Sequence, residues 1–100
     1  MVAMAEDATP TTEDRAKVFA ALADPTRLRL VELLVLHGEL SGSELAERAG
    51  ISLALTGHHR KILKEAGLIA SRKVGQTTYC SLDRGPLVAA VRDLIPVPED

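Results

Sequence analysis

The chain has 100 residues with one cysteine, one Phe, one Tyr and no Trp, and its formal net charge is −2 at pH 7. A chain of this length folds as one domain with a small core, and a lone cysteine excludes an internal disulfide or a multi-cysteine metal cluster. The sequence shows neither an apolar run long enough to span a membrane nor a secretion leader, so we expect a soluble cytoplasmic protein with no membrane partner.

The N-terminal half predicts an acidic tail followed by two helices. Residues 1–11 lack apolar periodicity, which predicts a disordered tail. Apolar residues at helical spacing predict a first helix over 12–23. A second helix starts at Asp24-Pro25, a cap followed by the proline favoured in a first turn, and ends at Gly38. We expect this helix to be central, with a core-facing stripe of Leu28, Val31, Leu34 and Val35 and with Leu30 and Leu33 beside it.

The next two helices have the order and turn of a helix-turn-helix. Ser41 and Glu44 have the spacing of a capping box, and the short helix that they open closes at Gly50. Ser52 caps the following basic helix, 53–66. A short helix joined through a glycine-containing turn to a basic one is typical of DNA-binding helix-turn-helix proteins.

Two β-prone runs, 68–74 and 77–82, come next and are joined by Gly75-Gln76. This pair suits a two-residue type II′ turn, so the runs predict a β-hairpin, the wing. A last short helix is predicted to open at Pro86 and to be stopped by Pro96 and Pro98.

Together these elements predict a mostly α fold with a two-stranded β-hairpin wing (α+β), a winged helix-turn-helix. The folded domain is predicted over 12–95, between a tail at 1–11 and a tail at 96–100.

Positive charge is concentrated in one segment. Residues 51–75 carry five bases and one acid, a local charge of +4, from Arg60, Lys61, Lys64, Arg72 and Lys73 against Glu65. This is the footprint of a nucleic-acid-binding face on a nearly neutral body. On charge alone, a solvated helix face is the alternative.

The runs LADPTRLRLVELL, SELAERAGIS and HHRKILKEAGLIASRKVGQTTYCSL, in this order and spacing, resemble the ArsR family over roughly residues 18–83. The resemblance implies a homodimeric transcriptional repressor that binds double-stranded DNA. It also implies that the operator is palindromic and is bound by the 53–66 helix and the 72–77 wing. It also implies that the first and last helices form the dimer seam, through Val18, Phe19, Leu22, Leu87, Val91 and Leu94. The alternative is that these residues are the core of a monomer.

The candidate DNA-binding residues combine groups for base edges with cations for phosphates. They are Ser52, Thr56, Gly57, His58, His59, Arg60, Lys61 and Lys64 in the helix and Arg72, Lys73 and Gln76 in the wing. We expect Arg60 and Lys61 to hold phosphates or guanine edges, and Thr56 and His58 to contribute to sequence choice. His59 is either a DNA contact or interior packing.

Two orientations of the basic helix stay open, because the family usually has apolar residues at the positions of Thr56 and Arg60. Either the helix turns so that Leu55, His59 and Ile62 face inward, or Arg60 extends its stem over the core. The base-reading residues are therefore less well defined than the helix itself.

Neither a metal site nor a cofactor is predicted, and the effector is unknown. Many ArsR proteins sense metals through cysteines at the start of the first helix of the motif, which corresponds here to Ser41, or through the last helix, which has no histidine here. Cys80 is a small buried hydrophobe or, alternatively, a redox-active thiol that forms an intersubunit disulfide or a sulfenic acid.

The sequence has no nucleophile with a base, no paired carboxylates and no cofactor loop, so we do not expect an enzyme. The stronger rival function is a protein-interaction module, since winged helices also bind proteins. Such a module would not require the +4 segment at 51–75, with its five bases and one acid.

Overall fold

Five helices and three strands make up the part of the chain that the computed structural model describes, residues 10–92 and 94–96. They are α1 (Thr12–Leu22), α2 (Pro25–His37), β1 (Glu39–Ser41), α3 (Gly42–Ala49), α4 (Leu53–Glu65), β2 (Ile69–Val74), β3 (Thr77–Leu82) and α5 (Arg84–Arg92). The predicted helix-turn-helix and wing are confirmed as α3, α4 and the β2–β3 hairpin. The predicted tails lie outside the described residues except for residues 10, 11 and 96.

The helices begin at side-chain caps, because each cap accepts a hydrogen bond from an N–H group that the first turn leaves unpaired. Asp24 and Ser52 accept from the backbone three residues on, each at 3.0 Å. Ser41 and Glu44 form the predicted capping box at 3.1 and 2.8 Å. Thr11 caps α1 in a second capping box, which was not predicted.

The sheet has one strand more than the predicted hairpin. β2 and β3 pair antiparallel, and Gly75 in their turn has a φ of 62° whereas Gln76 has no positive φ, as in the predicted type II′ turn. β1 pairs antiparallel with the other edge of β3, with Leu40 opposite Cys80, and the strand order is β1-β3-β2. The predicted two-stranded wing is thus confirmed, and β1 is a third strand that was not predicted, because a three-residue strand is too short to show alternation.

The last helix begins two residues before the predicted start at Pro86. The carboxylate of Asp83 accepts the backbone N–H of Gly85 at 3.1 Å at the start of α5. Proline is tolerated in a first turn because its missing N–H would have no partner there. Pro86 thus lies inside the first turn rather than at its opening.

The core forms where α2 packs against α3, α4 and the sheet. Its largest fully buried apolar side chains are Leu30, Leu34, Leu45, Leu63, Leu68 and Cys80. The stripe predicted on α2 is wrong at two positions, since Leu28 and Val35 are 43% and 53% exposed. These residues are seven apart and share the outer face of the helix. None of the helices in the described ranges has the length and apolar character needed to cross a bilayer.

Candidate nucleic-acid interface

The inward face of α4 consists of Thr56, His59 and Leu63, which are 0%, 8% and 1% exposed. Their spacing of three and four residues places them on one side of the helix. Leu55 is 42% exposed, so it does not belong to this face. The opposite face presents exposed residues to solvent, Gly57, His58, Lys61 and Lys64.

Thr56 lies on the buried side of the helix. Its hydroxyl donates a hydrogen bond of 2.8 Å to the backbone carbonyl of Ser52, the residue four positions earlier. A fully buried hydroxyl that is already bonded has no path to a base edge. The placement of Thr56 is therefore at odds with the role in sequence choice that its polarity suggested. The side chain of Ser52 is itself engaged as the cap of α4.

His59 is held from inside the protein by α2. Nη1 of Arg27 donates to Nδ1 of His59 across 3.3 Å, and Nε of Arg27 donates to the carbonyl of Ala21 at 2.7 Å. Because a guanidinium only donates, Nδ1 is the acceptor and the ring proton of a neutral His59 is on Nε2. This geometry favours the interior-packing alternative. The ring of His58 stands edge-on to that of His59, with centroids 5.4 Å apart, and His58 itself is exposed.

Arg60 extends sideways from α4 toward the start of α3, as the second proposed orientation required. The residue is half-buried, and its Nε is buried without a hydrogen-bond partner in the described part of the chain. A Cβ added to Gly42 would lie 2.8 Å from Nη1 of Arg60. The guanidinium therefore occupies the space that a side chain at position 42 would fill.

The guanidinium of Arg72 in the wing is paired within the protein. It donates to both carboxylate oxygens of Glu39, Nη2 to Oε1 at 2.7 Å and Nε to Oε2 at 3.1 Å, and it lies 5.5 Å from the ring centroid of Tyr79. This pairing lowers the pKa of Glu39 and raises the pKa of Arg72. Arg72 thus ties β2 to β1 across β3. All three wing candidates, Arg72, Lys73 and Gln76, are exposed, but only Arg72 is in an ion pair with a residue of the described ranges.

A shallow cleft of about 290 Å³ separates α4 from the wing. No acidic residue lines it, and three of its lining residues are basic: Arg60, Lys61 and Lys64. The cleft joins the two predicted DNA-contacting elements into one cationic surface, as a phosphate backbone requires.

The predicted dimer seam divides into buried and exposed residues where α1 packs on α5. Val18 is 4% exposed and belongs to the core of the protomer, so its assignment to the seam is not supported. Leu22, Leu87 and Val91 are half-buried. The exposed apolar residues are Phe19 and Leu94 from the prediction, together with Val88 and Ile95, which the prediction did not include.

Cys80 is fully buried in β3, opposite Leu40. This placement favours the small-hydrophobe interpretation, since a thiol without exposure has no access to a partner's thiol. Over residues 10–92 and 94–96, no group of three or more His, Cys, Asp or Glu residues is arranged to hold a metal ion.

Comparison with known proteins agrees with this arrangement. A sequence model described as "Bacterial regulatory protein, arsR family" matches residues 24–71. The cadmium resistance transcriptional regulatory protein CadC homolog of Staphylococcus aureus is 43% identical over 70 residues, which cover 70% of this chain and 58% of that protein. The transcriptional repressor SdpR of Bacillus subtilis is 39% identical over 66 residues, which cover 66% of this chain and 72% of that protein. The solution structure of the homodimeric winged helix-turn-helix DNA-binding domain Mb0332 of Mycobacterium bovis has a TM-score of 0.72 at 24% identity, covering 94% of this chain and 88% of that domain.

Proposed function

The chain belongs to the ArsR family of bacterial DNA-binding transcriptional regulators, and we propose that it is a homodimeric repressor that binds a palindromic operator in the cytoplasm. The observation that carries the proposal is the two-sided structure of α4. Its inner face is fixed by Thr56, His59 and Leu63, while its outer face presents exposed polar and basic groups. A recognition helix needs this division, because it must pack on the domain and enter the major groove at once.

We assign the outer residues by their chemistry. His58 has ring nitrogens for base edges, whereas Lys61 and Lys64 carry point charges for phosphates. Gly57 is exposed and has open space where a Cβ would be, so the backbone of α4 is able to approach the groove closely. In the wing, Lys73 and Gln76 are exposed at the hairpin end and serve as secondary contacts.

We propose that the dimer forms through the exposed apolar face of α1, α5 and the turn that follows α5. Phe19, Val88 and Leu94 are 38%, 55% and 61% exposed, and burial of such side chains is the main driving force of stable homodimers. In two-fold dimers of helix-turn-helix subunits, the recognition helices bind half-sites about 34 Å apart on one face of DNA. The operator is then expected to be a palindrome. The relative from M. bovis, which shares the fold, is a homodimer.

The signal that releases this repressor is proposed to be something other than a metal ion at the two family sites. The staphylococcal relative is a regulator of cadmium resistance. In this chain, however, Ser41 occupies the corresponding position on α3, and its hydroxyl is engaged in the helix cap. Catalysis is not part of the proposal, since the relatives are regulators rather than enzymes.

Selection of bound sequences from a pool of random duplex DNA tests the proposal. We expect enrichment of one palindromic sequence whose half-sites are one helical turn apart. Lys61→Ala is expected to weaken binding to all sequences alike and to reduce the slope of log affinity against log salt by about 0.9 for each phosphate that the variant no longer neutralises. Recovery of no preferred sequence, together with binding that does not depend on salt, would refute DNA recognition and favour the protein-interaction module.

A further inference from the structure

A second cleft, of about 230 Å³, lies between the start of α3 and the wing. Apart from Gly42 and Leu53, it is lined by polar side chains, and no acidic residue takes part: Ser41, Ser43, Arg60, Gln76, Thr77 and Thr78. Its volume is several times the ~30 Å³ that one water occupies in the liquid, so a tetrahedral anion fits. The guanidinium of Arg60 is its one charged group.

Among the residues that the structure describes, Arg60 has no compensating acceptor. Its Nε is buried and unpartnered, and in residues 10–92 and 94–96 the side chain forms neither an ion pair nor a hydrogen bond. Partial burial of a cation without a partner is unfavourable, and an apolar residue of similar volume would avoid this cost. An anion from outside the protein would supply the missing partner.

Gly42 provides the second, independent observation. Its backbone φ is not in the positive region, where only Gly38, Gly50, Gly67 and Gly75 are found among the described residues, so the conformation does not require glycine. A Cβ at position 42 would instead meet Nη1 of Arg60 at 2.8 Å, while the next neighbouring side chain, Leu53, is 3.9 Å away. The absence of a side chain at Gly42 thus leaves room for the end of the Arg60 side chain.

We propose that this cleft is a seat for one phosphodiester of the operator backbone, bound by charge-assisted hydrogen bonds from the Arg60 guanidinium, and that Gly42 keeps the seat open. The proposal rests on the proposed function and adds a specific contact to it. A phosphate between α3 and the wing would be bound by a planar fork of donors, which fixes orientation better than a flexible lysine does. Arg60 is then a positioning residue that sets how α4 lies in the groove, and it does not read a base itself.

A double-mutant cycle of Arg60→Leu and Gly42→Ala tests the seat, measured by fluorescence anisotropy on the selected operator and on a duplex of unrelated sequence. Arg60→Leu is expected to remain folded with an unchanged or higher Tm. It should bind both duplexes roughly tenfold or more weakly and lose about 0.9 of salt slope per subunit. Gly42→Ala should reproduce this loss in the wild-type background, because the methyl displaces the guanidinium. In the Arg60→Leu background it should change nothing further.

Lys61→Ala serves as the control that separates this inference from the proposed function. If Lys61→Ala lowers the salt slope and Arg60→Leu does not, the seat is wrong while DNA binding stands. If neither variant changes binding, the seat is wrong and so is the assignment of α4 as the helix that contacts DNA. Additive effects of Gly42→Ala and Arg60→Leu, or a loss of preference confined to one base pair in Arg60→Leu, would also overturn the seat. Binding of inorganic phosphate to the cleft can be monitored by NMR of the Arg60 Nε–H. If phosphate binds there but Arg60→Leu retains the wild-type salt slope on DNA, the seat is also overturned.

Discussion

Replacement of Thr56 by valine tests which side of α4 faces the DNA groove. The two side chains have nearly the same shape, and Thr56 is fully buried with its hydroxyl bonded to the carbonyl of Ser52 at 2.8 Å. The same carbonyl accepts the backbone N–H of Thr56 at 3.0 Å, so it keeps a partner when the hydroxyl is removed. The variant therefore loses one hydrogen bond, gains a buried methyl group and leaves no polar atom unpaired.

These two changes nearly cancel. A neutral hydrogen bond contributes about 0.5–1.5 kcal/mol, and a buried methyl group returns about 0.8 kcal/mol. We expect the free energy of unfolding to stay within about 1 kcal/mol of wild type and the operator affinity to stay within about twofold. A residue that reads a base would instead lose about 1–3 kcal/mol of discrimination at one position.

His58→Ala is the matched variant on the exposed face of the same helix. Thermal unfolding gives the stability of each protein. Fluorescence anisotropy on the operator and on a set of its single-base variants gives its affinity and base preference. We expect His58→Ala to relax preference at one base pair without a change in stability. The reverse result, in which Thr56→Val relaxes preference and His58→Ala behaves as wild type, would show that the orientation assigned to α4 is wrong.

The remaining predictions concern the dimer, the wing and the effector. Val88→Glu on α5 should give a monomer in sedimentation equilibrium, while the same change at Val74, an equally exposed valine in the wing, should leave the dimer intact; a monomeric wild type would contradict the seam. In an NMR titration the carboxyl of Glu39 should have a pKa below its ordinary 4.5, because Arg72 donates to it, and Arg72→Ala should bring it back toward that value. Because the folded-state pKa is lowered, the pair stabilises the wing above the ordinary Glu range and this contribution is lost as the pH falls through the lowered value; a wild-type midpoint at or above 4.5 would exclude the pair. Zinc, cadmium and arsenite should leave operator affinity unchanged, and stoichiometric release of DNA by any of them would reveal a metal site.

The starts of α2, α3 and α4 were predictable from the sequence because their causes are local. Asp24, Ser41 and Ser52 each bond to the backbone of a residue three positions on, so a short window contains the whole signal. β1 was not predictable in this way. Its pairing places Leu40 opposite Cys80, far along the chain, and three residues show no periodicity of their own.

Side-chain orientations could not be predicted where polarity was the only local evidence. Thr56 and Arg60 are polar residues on a basic helix, which suggested a place on the DNA-facing side. Their orientations depend on partners that the helix pattern does not contain: Thr56 bonds back to its own helix cap, and Arg60 occupies space left by a glycine on α3. The orientation of Arg72 likewise depends on a distant partner, since its guanidinium donates to Glu39 of β1.

The polar residues of the 51–75 segment thus have two different roles. Thr56, His59 and Arg72 are hydrogen-bonded within the described part of the chain, whereas no such bond is found there for the exposed lysines of α4. The bonded residues hold α4 and the wing in place, and the exposed cations are presented from that rigid frame, which reduces the entropy lost on binding. Substitution of His59 or Arg72 should therefore change stability more than salt dependence, and substitution of an exposed lysine should do the reverse. Arg60 is the exception that the proposed phosphate seat explains, because the described residues contain no partner for it.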